Sequence, residues 1–206
     1  MGNKLNCSGI ILAGGESRRF GSPKALAEFE GKTFIEHSIE TLASFTDEIL
    51  IVTREELKKP LTKFSSHQVR ILTDADRYKG KGPLAGIYTG MINNKSEYYL
   101  VSPCDMPLMN SNMYVKWLEA AQKNNFDCVI PVLNGKIYPL NGVYKITCMA
   151  DIISCLRSDV YKVLKLVERK KTKYMKVCRD EEPYFKNVNT PNELIGIKEA
   201  DCPRHV

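Results

Sequence analysis

The sequence has no long apolar run: no stretch of its 206 residues approaches the roughly 18 consecutive apolar residues that span a bilayer. We also expect no secretory leader, because residues 1–7 lead directly into a strand-like segment without an apolar core or a small-residue cleavage site. These two absences argue against an integral membrane protein and against secretion. We therefore expect a cytoplasmic protein with no membrane contact.

The cysteines include no C-x-x-C pair, which argues against zinc or thioredoxin-like redox chemistry. Their scatter is typical of reduced cytosolic thiols. The seven positions are Cys7, Cys104, Cys128, Cys148, Cys155, Cys178 and Cys202. Histidine is scarce, with three residues in all. His37, His67 and His205 lie away from the loops described below, and we expect them at the surface.

The charge balance is only mildly basic, with 30 Lys+Arg against 24 Asp+Glu and a net charge of +6. Such an excess could serve a nucleic acid or a small polyanion. Its densest cluster, residues 168–173, follows an apolar helix-like run and is typical of a solvated surface. Because no nucleic-acid-binding motif is present, we expect no nucleic-acid partner.

Two common phosphate-binding motifs are also absent. A dinucleotide fingerprint requires G-x-G-x-x-G, but the glycines at 14–15 are followed by Glu16. G-K-T at 31–33 imitates the end of a P-loop, yet the required first glycine falls at Leu26. The sequence therefore supports neither a dinucleotide oxidoreductase nor a P-loop NTPase.

Short apolar runs alternate with segments of helical spacing, which predicts βαβ units and a mostly parallel sheet with helices on both faces. Predicted strands cover 8–13, 48–53, 68–73, 98–102 and 128–132, and predicted helices cover 33–45, a segment starting at Pro83, and 111–124. The last third predicts helices near 146–157 and 160–167, a short strand near 173–178, and a capped helix from Pro191. Nothing marks a linker or a repeat. We therefore predict one three-layer α/β domain over residues 1–206.

Ligands of open α/β sheets bind beyond the carboxyl ends of the strands, which singles out the loops 14–24, 74–86 and 102–109. In the first loop, glycines are followed by Arg18, Arg19 and Lys24. Glycines let backbone N–H groups turn toward an anion, and Arg and Lys together suit a polyphosphate. The alternative is a tight turn with exposed basic residues. The three cations favour phosphate binding, and we expect the Lys24 ammonium to reach phosphates without packing against the protein.

Carboxylates end two of the predicted strands. Asp105 follows the fourth predicted strand between two prolines, where it could hold Mg²⁺, since this ion takes one or two carboxylates plus substrate phosphates. Asp74 ends the third predicted strand. Each has a plainer explanation: Asp105 as a cap or turn former, and Asp74 as the start of an Asx-turn.

Four motifs in order carry a resemblance to a known family. They are L-A-G-G-x-S-x-R-x-G-x-x-K at 12–24, G-P-L-A-G at 82–86, P-C-D-M-P at 103–107 and N-V-N-T-P at 187–191. The first closely resembles the signature of nucleotidyltransferases of the sugar-nucleotide pyrophosphorylase type. All four together, over residues 8–197, resemble the molybdenum cofactor guanylyltransferases within that group. The resemblance implies a three-layer, Rossmann-like nucleotidyltransferase fold.

The resemblance also implies residue roles. The residues implied to bind the nucleotide are Leu12, Ala13, Gly14, Gly15, Lys24, Asp74 and Asp105. Those implied in catalysis are Arg19, Lys24 and Asp105, and Asp105 is also the implied metal ligand. Those implied to bind the acceptor are Pro139, Asn187 and Asn189. Residues from about 8 to 110 would bind the nucleotide and those from about 111 to 200 the acceptor. Two segments depart from the pattern: Val52-Thr53-Arg54, where some relatives have an asparagine, and 137–140, which is less polar than in some relatives.

The implied reaction joins GTP to the molybdopterin-bound molybdenum cofactor, giving the guanine dinucleotide cofactor and pyrophosphate, with Mg²⁺ as the metal. Other proteins of cofactor biosynthesis, or acceptor molybdoenzymes, would be its protein partners. Three alternatives stay open: a cytidylyltransferase for the same pterin, a guanylyltransferase for phospholactate, and a non-catalytic nucleotide-binding module. The presence of both Lys24 and Asp105 favours an enzyme over the last of these.

Overall fold

The computed structural model describes residues 6–17 and 19–199 of the chain. The strands are β1 (Cys7–Leu12), β2 (Glu28–Phe29), β3 (Lys32–Thr33), β4 (Glu48–Thr53), β5 (Val69–Thr73), β6 (Tyr98–Pro103), β7 (Cys128–Leu133), β8 (Lys136–Ile137), β9 (Gly142–Lys145) and β10 (Thr172–Lys176). The α-helices are α1 (Phe34–Ala43), α2 (Glu55–Leu61), α3 (Pro83–Asn93), α4 (Ser111–Asn124), α5 (Met149–Arg157), α6 (Val163–Val167) and α7 (Pro191–Glu199). Arg18, Cys202 and His205 lie outside the described residues.

The main sheet of this described part has eight strands, ordered β10-β7-β9-β6-β1-β4-β5, with β8 paired to β7. Strands β6, β1, β4 and β5 are mutually parallel, and β10 is parallel to β7. Strand β9 runs antiparallel to both β6 and β7, between which it lies. The predicted mixed α/β fold with a mostly parallel central sheet is confirmed.

Strand β9 is absent from the sequence-based prediction. It has only four residues, and it owes its extended form to hydrogen bonding with a strand on each side. Glycine at its first position is required sterically, because a Cβ on Gly142 would lie 2.5 Å from the carbonyl oxygen of Val129. A pattern this short carries no periodicity from which a strand could be predicted.

The two faces of the sheet bury two separate apolar clusters, because successive strand residues point to opposite faces. Ile11 of β1 packs in the cluster that contains Leu42 of α1 and residues of α2 and α4. Its neighbour Ile10 packs in the cluster that contains Leu84 of α3 and Ile152 of α5, together with residues of α6. Helices therefore cover both faces, and the predicted three-layer arrangement is confirmed.

Helix α3 packs unusually close to β1. Gly86 and Gly90 are one helical turn apart and therefore face the same way. A Cβ on Gly86 would lie 2.7 Å from Leu12 Cδ2, and one on Gly90 would lie 2.5 Å from Ile10 Cδ1 and 2.7 Å from its Cγ1. The close packing fixes the start of α3, and with it the glycine-containing loop before the helix, against the carboxyl end of β1.

Gly90→Ala is expected to lower the free energy of unfolding by about 1–3 kcal/mol, the usual cost of overpacking a filled core. The added methyl group meets three side-chain carbons of Ile10, which is fully buried. Urea denaturation of the purified variant measures the change.

Gly196→Ala is the matched control, because it makes the same substitution in α7 at a position where a Cβ would have no neighbour within 4 Å. It is expected to stabilise the protein slightly, through the higher helix propensity of alanine. Equal free energies of unfolding for the two variants would contradict the close packing of α3 on β1.

Among the described residues, no helix combines the length and the apolar character that crossing a membrane requires.

Candidate active site

A cavity of about 770 Å³ opens at the carboxyl ends of β1, β4, β5 and β6. The chain leaves β1 toward β4 and β5 and then returns to form β6 on the other side of β1, so this edge contains a topological switch point, where open α/β sheets bind ligands. Nine of the eleven predicted site residues line the cavity: Leu12, Ala13, Gly14, Gly15, Lys24, Asp74, Asp105, Pro139 and Asn187.

The first loop is fixed to β4 where it leaves β1. The N–H of Ala13 donates to the carbonyl of Val52 at 2.8 Å, and the Thr53 hydroxyl donates to the carbonyl of Ala13 at 3.2 Å. The glycines that follow are not needed for packing, because a Cβ on Gly14 would meet atoms no closer than 3.9 Å and one on Gly15 would meet nothing within 4 Å. Their missing side chains instead leave the backbone accessible from the cavity.

Lys24 is held inside the site rather than extended into solvent. Its ammonium donates to Asp105 Oδ2 at 2.7 Å and to Asn189 Oδ1 at 3.1 Å, and its side chain is only 13% exposed. Its backbone N–H donates to Ser17 Oγ at 3.1 Å, and the next residue, Ala25, is buried in the core. The expectation that the Lys24 side chain does not pack against the protein is therefore wrong: the loop folds back across the sheet edge and places the ammonium on a carboxylate.

Asp105 is held by backbone contacts on two sides. The preceding Cys104 donates its N–H to the carbonyl of Leu12 at 3.2 Å, and the Asp105 carbonyl accepts the N–H of Val188 at 2.9 Å. Within residues 6–17 and 19–199, the Asp105 carboxylate accepts its hydrogen bond from the Lys24 ammonium. The carboxylate therefore does not act as a cap or turn former in the described chain; it faces the lysine across the site.

Asp74 follows β5 and closes a loop with its side chain, but it does not form the Asx-turn considered from the sequence. Its Oδ2 accepts the N–H of Gly80 at 3.1 Å, which closes a longer loop than an Asx-turn would. Burial of this half-buried side chain raises the pKa of Asp74, although the Gly80 hydrogen bond and the Lys79 charge oppose the rise. Asp74 also lines the cavity at its β5 end, as the nucleoside role requires.

Arg19 is not brought together with Lys24 and Asp105. It is exposed, and it is not among the residues that line the cavity. The neighbouring Phe20 explains the outward direction: its ring packs edge-on against Phe34 at 6.2 Å, in a small apolar cluster with Val188. The catalytic role of Arg19 stays a prediction without support from this geometry.

The C-terminal motif at 187–191 leads into α7, and its two asparagines lie at the site. The Thr190 hydroxyl accepts the N–H of Glu193 at 3.2 Å, as the predicted cap requires, but the Glu193 carboxylate accepts from the N–H of Asn189, one residue earlier than predicted. Asn187 lines the cavity, whereas Asn189 contacts Lys24. Their proposed acceptor contacts stay predictions.

A segment in which the sequence predicted only Pro139 as a site residue forms another wall of the cavity. It comprises residues 136–141, from the start of β8 to the residue before β9. The Lys136 ammonium lies 4.6 Å above the Tyr138 ring, which packs edge-on against Phe185 at 5.1 Å. The Tyr144 hydroxyl donates to the carbonyl of Pro139. Arg54 and Lys79 also line the cavity without having been predicted. These residues lie in the connections that follow β4, β5 and β7, and the sheet order brings those connections to the cavity.

The remaining candidate groups do not suggest a nucleophile. Burial raises the pKa of the Cys104 thiol to about 12, so it stays protonated at neutral pH. His67 is exposed as expected, whereas His37 is half-buried and its Nε2 lies 2.9 Å from the carbonyl of Phe29.

A glycine-containing loop, a lysine and a carboxylate converge at the switch point of a mostly parallel sheet, and this fold and site together define a nucleotidyltransferase. Residues 9–173 match the family described as the MobA-like NTP transferase domain. The chain belongs to this family, and the family resemblance inferred from the four motifs is confirmed.

Relatives of known name cover nearly the whole chain. A probable molybdenum cofactor guanylyltransferase of Geobacillus sp. is 39% identical over 197 residues, or 95% of this chain and 98% of the relative. One from Halalkalibacterium halodurans is 36% identical, covering 93% of this chain and 98% of the relative. Among solved structures, the molybdopterin-guanine dinucleotide biosynthesis protein A of Archaeoglobus fulgidus has a TM-score of 0.78 at 24% identity, covering 94% of this chain and 97% of that one, and supports the fold.

Proposed function

We propose that this chain transfers GMP from GTP to the terminal phosphate of the molybdopterin-bound molybdenum cofactor. The products are the guanine dinucleotide cofactor and pyrophosphate. The observation that carries the proposal is the 2.7 Å contact between Lys24 and Asp105, which joins a phosphate-binding cation to a metal-binding carboxylate in the cavity. The names of relatives that match more than nine-tenths of the chain support the choice of GTP and of this acceptor.

The site divides between nucleotide and acceptor along the sheet edge. We assign the nucleoside to the β4–β5 side, near Asp74 and the loop before α3, and the phosphates to the Leu12–Gly15 backbone and Lys24. The acceptor then lies on the β9 side, near Pro139 and Asn187, which both line the cavity. This division follows the predicted split between residues from about 8 to 110 and those from about 111 to 200.

The proposed chemistry needs no general base. A terminal phosphate oxygen of the acceptor attacks the α-phosphorus of GTP; a P–O bond forms there as the bond to pyrophosphate breaks. The attacking oxygen is already ionised, so no proton has to be removed. Catalysis by the protein then consists of aligning two polyanions and offsetting their charge. Lys24 performs the second task when its ammonium moves from Asp105 to the phosphates.

The donors present fit Mg²⁺ that arrives with the nucleotide. Among residues 6–17 and 19–199, no group of three or more His, Cys, Asp or Glu side chains could hold a metal. Mg²⁺ needs only one or two protein carboxylates when substrate phosphates supply other ligands. Asp105 is the carboxylate that would hold it. When bound, the metal supplies positive charge that reduces the repulsion between the two phosphates.

GTP is expected to be used at least about a hundredfold better than CTP, because a site built to hydrogen-bond one base leaves polar groups unpaired with another. The Asp74 carboxylate can accept from the guanine N1–H and exocyclic amine, and cytosine does not display this pair of donors. The experiment incubates the protein with molybdenum cofactor, Mg²⁺ and each of the four NTPs, and measures dinucleotide and pyrophosphate.

The same experiment separates the alternatives. Comparable turnover with CTP would overturn the guanylyl assignment and favour a cytidylyltransferase for the same pterin. Turnover of GTP with phospholactate but not with the molybdenum cofactor would replace the acceptor. Binding of GTP without any pyrophosphate release would identify a non-catalytic module.

The proposed reaction also indicates the cellular location and the protein partners of this chain. Its substrates are cytoplasmic metabolites, so we place the chain in the cytoplasm. Because its product is an enzyme cofactor, acceptor molybdoenzymes, or other proteins of cofactor biosynthesis, are the expected protein partners.

A further inference from the structure

Asn141 lies in the cavity wall and, within the described chain, has a buried, unpaired side-chain nitrogen. The residue is 1% exposed and lines the cavity wall. Its side-chain nitrogen is buried and has no hydrogen-bond partner in the part of the chain that the structure describes. A buried amide that donates no hydrogen bond is unfavourable, and native proteins rarely keep one unless a ligand or another group completes it. The proposed reaction as described above gives Asn141 no role.

The backbone around Asn141 holds the side chain in a fixed position. Its own N–H donates to the carbonyl of Tyr138 at 3.1 Å, and the next residue, Gly142, begins β9 between two neighbouring strands. The nearby Tyr114 hydroxyl donates to the carbonyl of Val101 at 3.0 Å. Burial raises the pKa of Tyr114, and the neighbouring Ser102 and Asn141 side chains lower it through hydrogen bonding. The Asn141 nitrogen itself has no hydrogen-bond partner of normal geometry among the described residues, so it can donate to a ligand.

The sheet order determines which substrate the amide faces. Strand β9 is adjacent to β6, on the side away from β1, β4 and β5. Pairing of Gly142 with Val101 places Asn141 beside the last residues of β6, the strand that Asp105 follows. GTP extends from the Asp74 side to Lys24 and Asp105, so Asn141 lies beyond its phosphates. The attacking phosphate has to approach from that side.

We propose that Asn141 binds the acceptor, donating its side-chain amide hydrogen bond to the terminal phosphate whose oxygen attacks GTP. This inference rests on the proposed function. The amide moves no proton: it orients the phosphate while Lys24 offsets its charge. Asn141 is thus an acceptor-binding residue supplied by a segment whose sequence carries no recognisable motif.

Asn141→Asp tests the assignment, because it keeps the size of the side chain and replaces the donor by an anion. The KM for the molybdenum cofactor is expected to rise about ten- to hundredfold, the usual effect of losing a hydrogen bond to a charged group. The dissociation constant of GTP, measured by calorimetry without acceptor, is expected to stay within about twofold of the wild type. Asn141→Ala provides the same test if the aspartate variant does not fold.

Tyr114→Phe is the matched control, because it alters the neighbouring hydroxyl but leaves the amide in place; its KM for the acceptor should not change.

Acceptor binding is also measured directly, by equilibrium dialysis of molybdopterin in the presence of a non-hydrolysable GTP analogue. Normal acceptor binding by both Asn141 variants would overturn this inference alone. If the Asn141 variants lost GTP binding together with acceptor binding, the amide would be assigned to the nucleotide, and this inference would also be overturned. A wild-type protein that binds molybdopterin without forming dinucleotide would overturn the proposed function alone, and one that binds no molybdopterin would overturn both.

Discussion

Turnover is expected to fall about a thousandfold or more in Asp105→Asn, with the fold retained. The substitution keeps the shape of the side chain but removes the charge that a divalent cation needs. The fold survives because Asp105 is held through its carbonyl, which accepts the N–H of Val188. GTP binding in the absence of Mg²⁺ should remain measurable, since the Leu12–Gly15 backbone and Lys24 are unchanged. Initial rates over a Mg²⁺ titration measure the effect.

Asp76→Asn is a suitable control for Asp105→Asn. Asp76 is an exposed carboxylate that does not line the cavity, and its replacement is expected to leave both turnover and Mg²⁺ dependence unchanged. If Asp105→Asn itself kept wild-type turnover and Mg²⁺ dependence, its metal role would be refuted. The metal-binding carboxylate would then have to be sought elsewhere in the cavity, with Asp74 as the first candidate.

Lys24→Met is expected to lower turnover about a hundred- to thousandfold, because it removes the cation that offsets charge on the transferred phosphate. It should also lower the free energy of unfolding by about 1.5–3 kcal/mol, since the Asp105 carboxylate is only 19% exposed and loses a charge-assisted hydrogen bond. Methionine keeps much of the apolar length of lysine, so the loss reports on the charge. Single-turnover rates and urea denaturation measure the two effects separately.

Two variants isolate the ion pair. Lys32→Met removes an exposed lysine that pairs with Glu40 outside the cavity, and it should change neither property measurably. In the double variant Lys24→Met with Asp105→Asn, the loss of stability should be smaller than the sum of the two single losses, because both break the same contact. A Lys24→Met protein that lost stability but kept its turnover per folded molecule would show that Lys24 is structural.

The local arrangement was largely predictable from the sequence. The apolar runs that become β1, β4, β5, β6 and β7 are short, and turn-forming residues follow all of them except β4, so their type and approximate bounds follow from the local pattern. The rule that ligands bind beyond the carboxyl ends of parallel strands then selects the correct loops. The spacing of residues within the first loop was enough to predict Lys24 as a site residue. Asp105 was predicted as one from its position directly after a strand.

Local sequence patterns therefore predicted most strands of the main sheet, the loops at their ends and the family, whereas long-range packing established β9 and the side-chain contacts of the site. Lys24 contacts Asp105, 81 residues away, and Asn189, 165 residues away. Asn141 reaches the site only because β9 lies beside β6. Local patterns reflect periodicity and turn chemistry, which neighbouring residues fix. Contacts between distant residues depend on the order of the strands, which is set by how complete faces of the sheet pack against helices, and no short stretch of sequence contains that information.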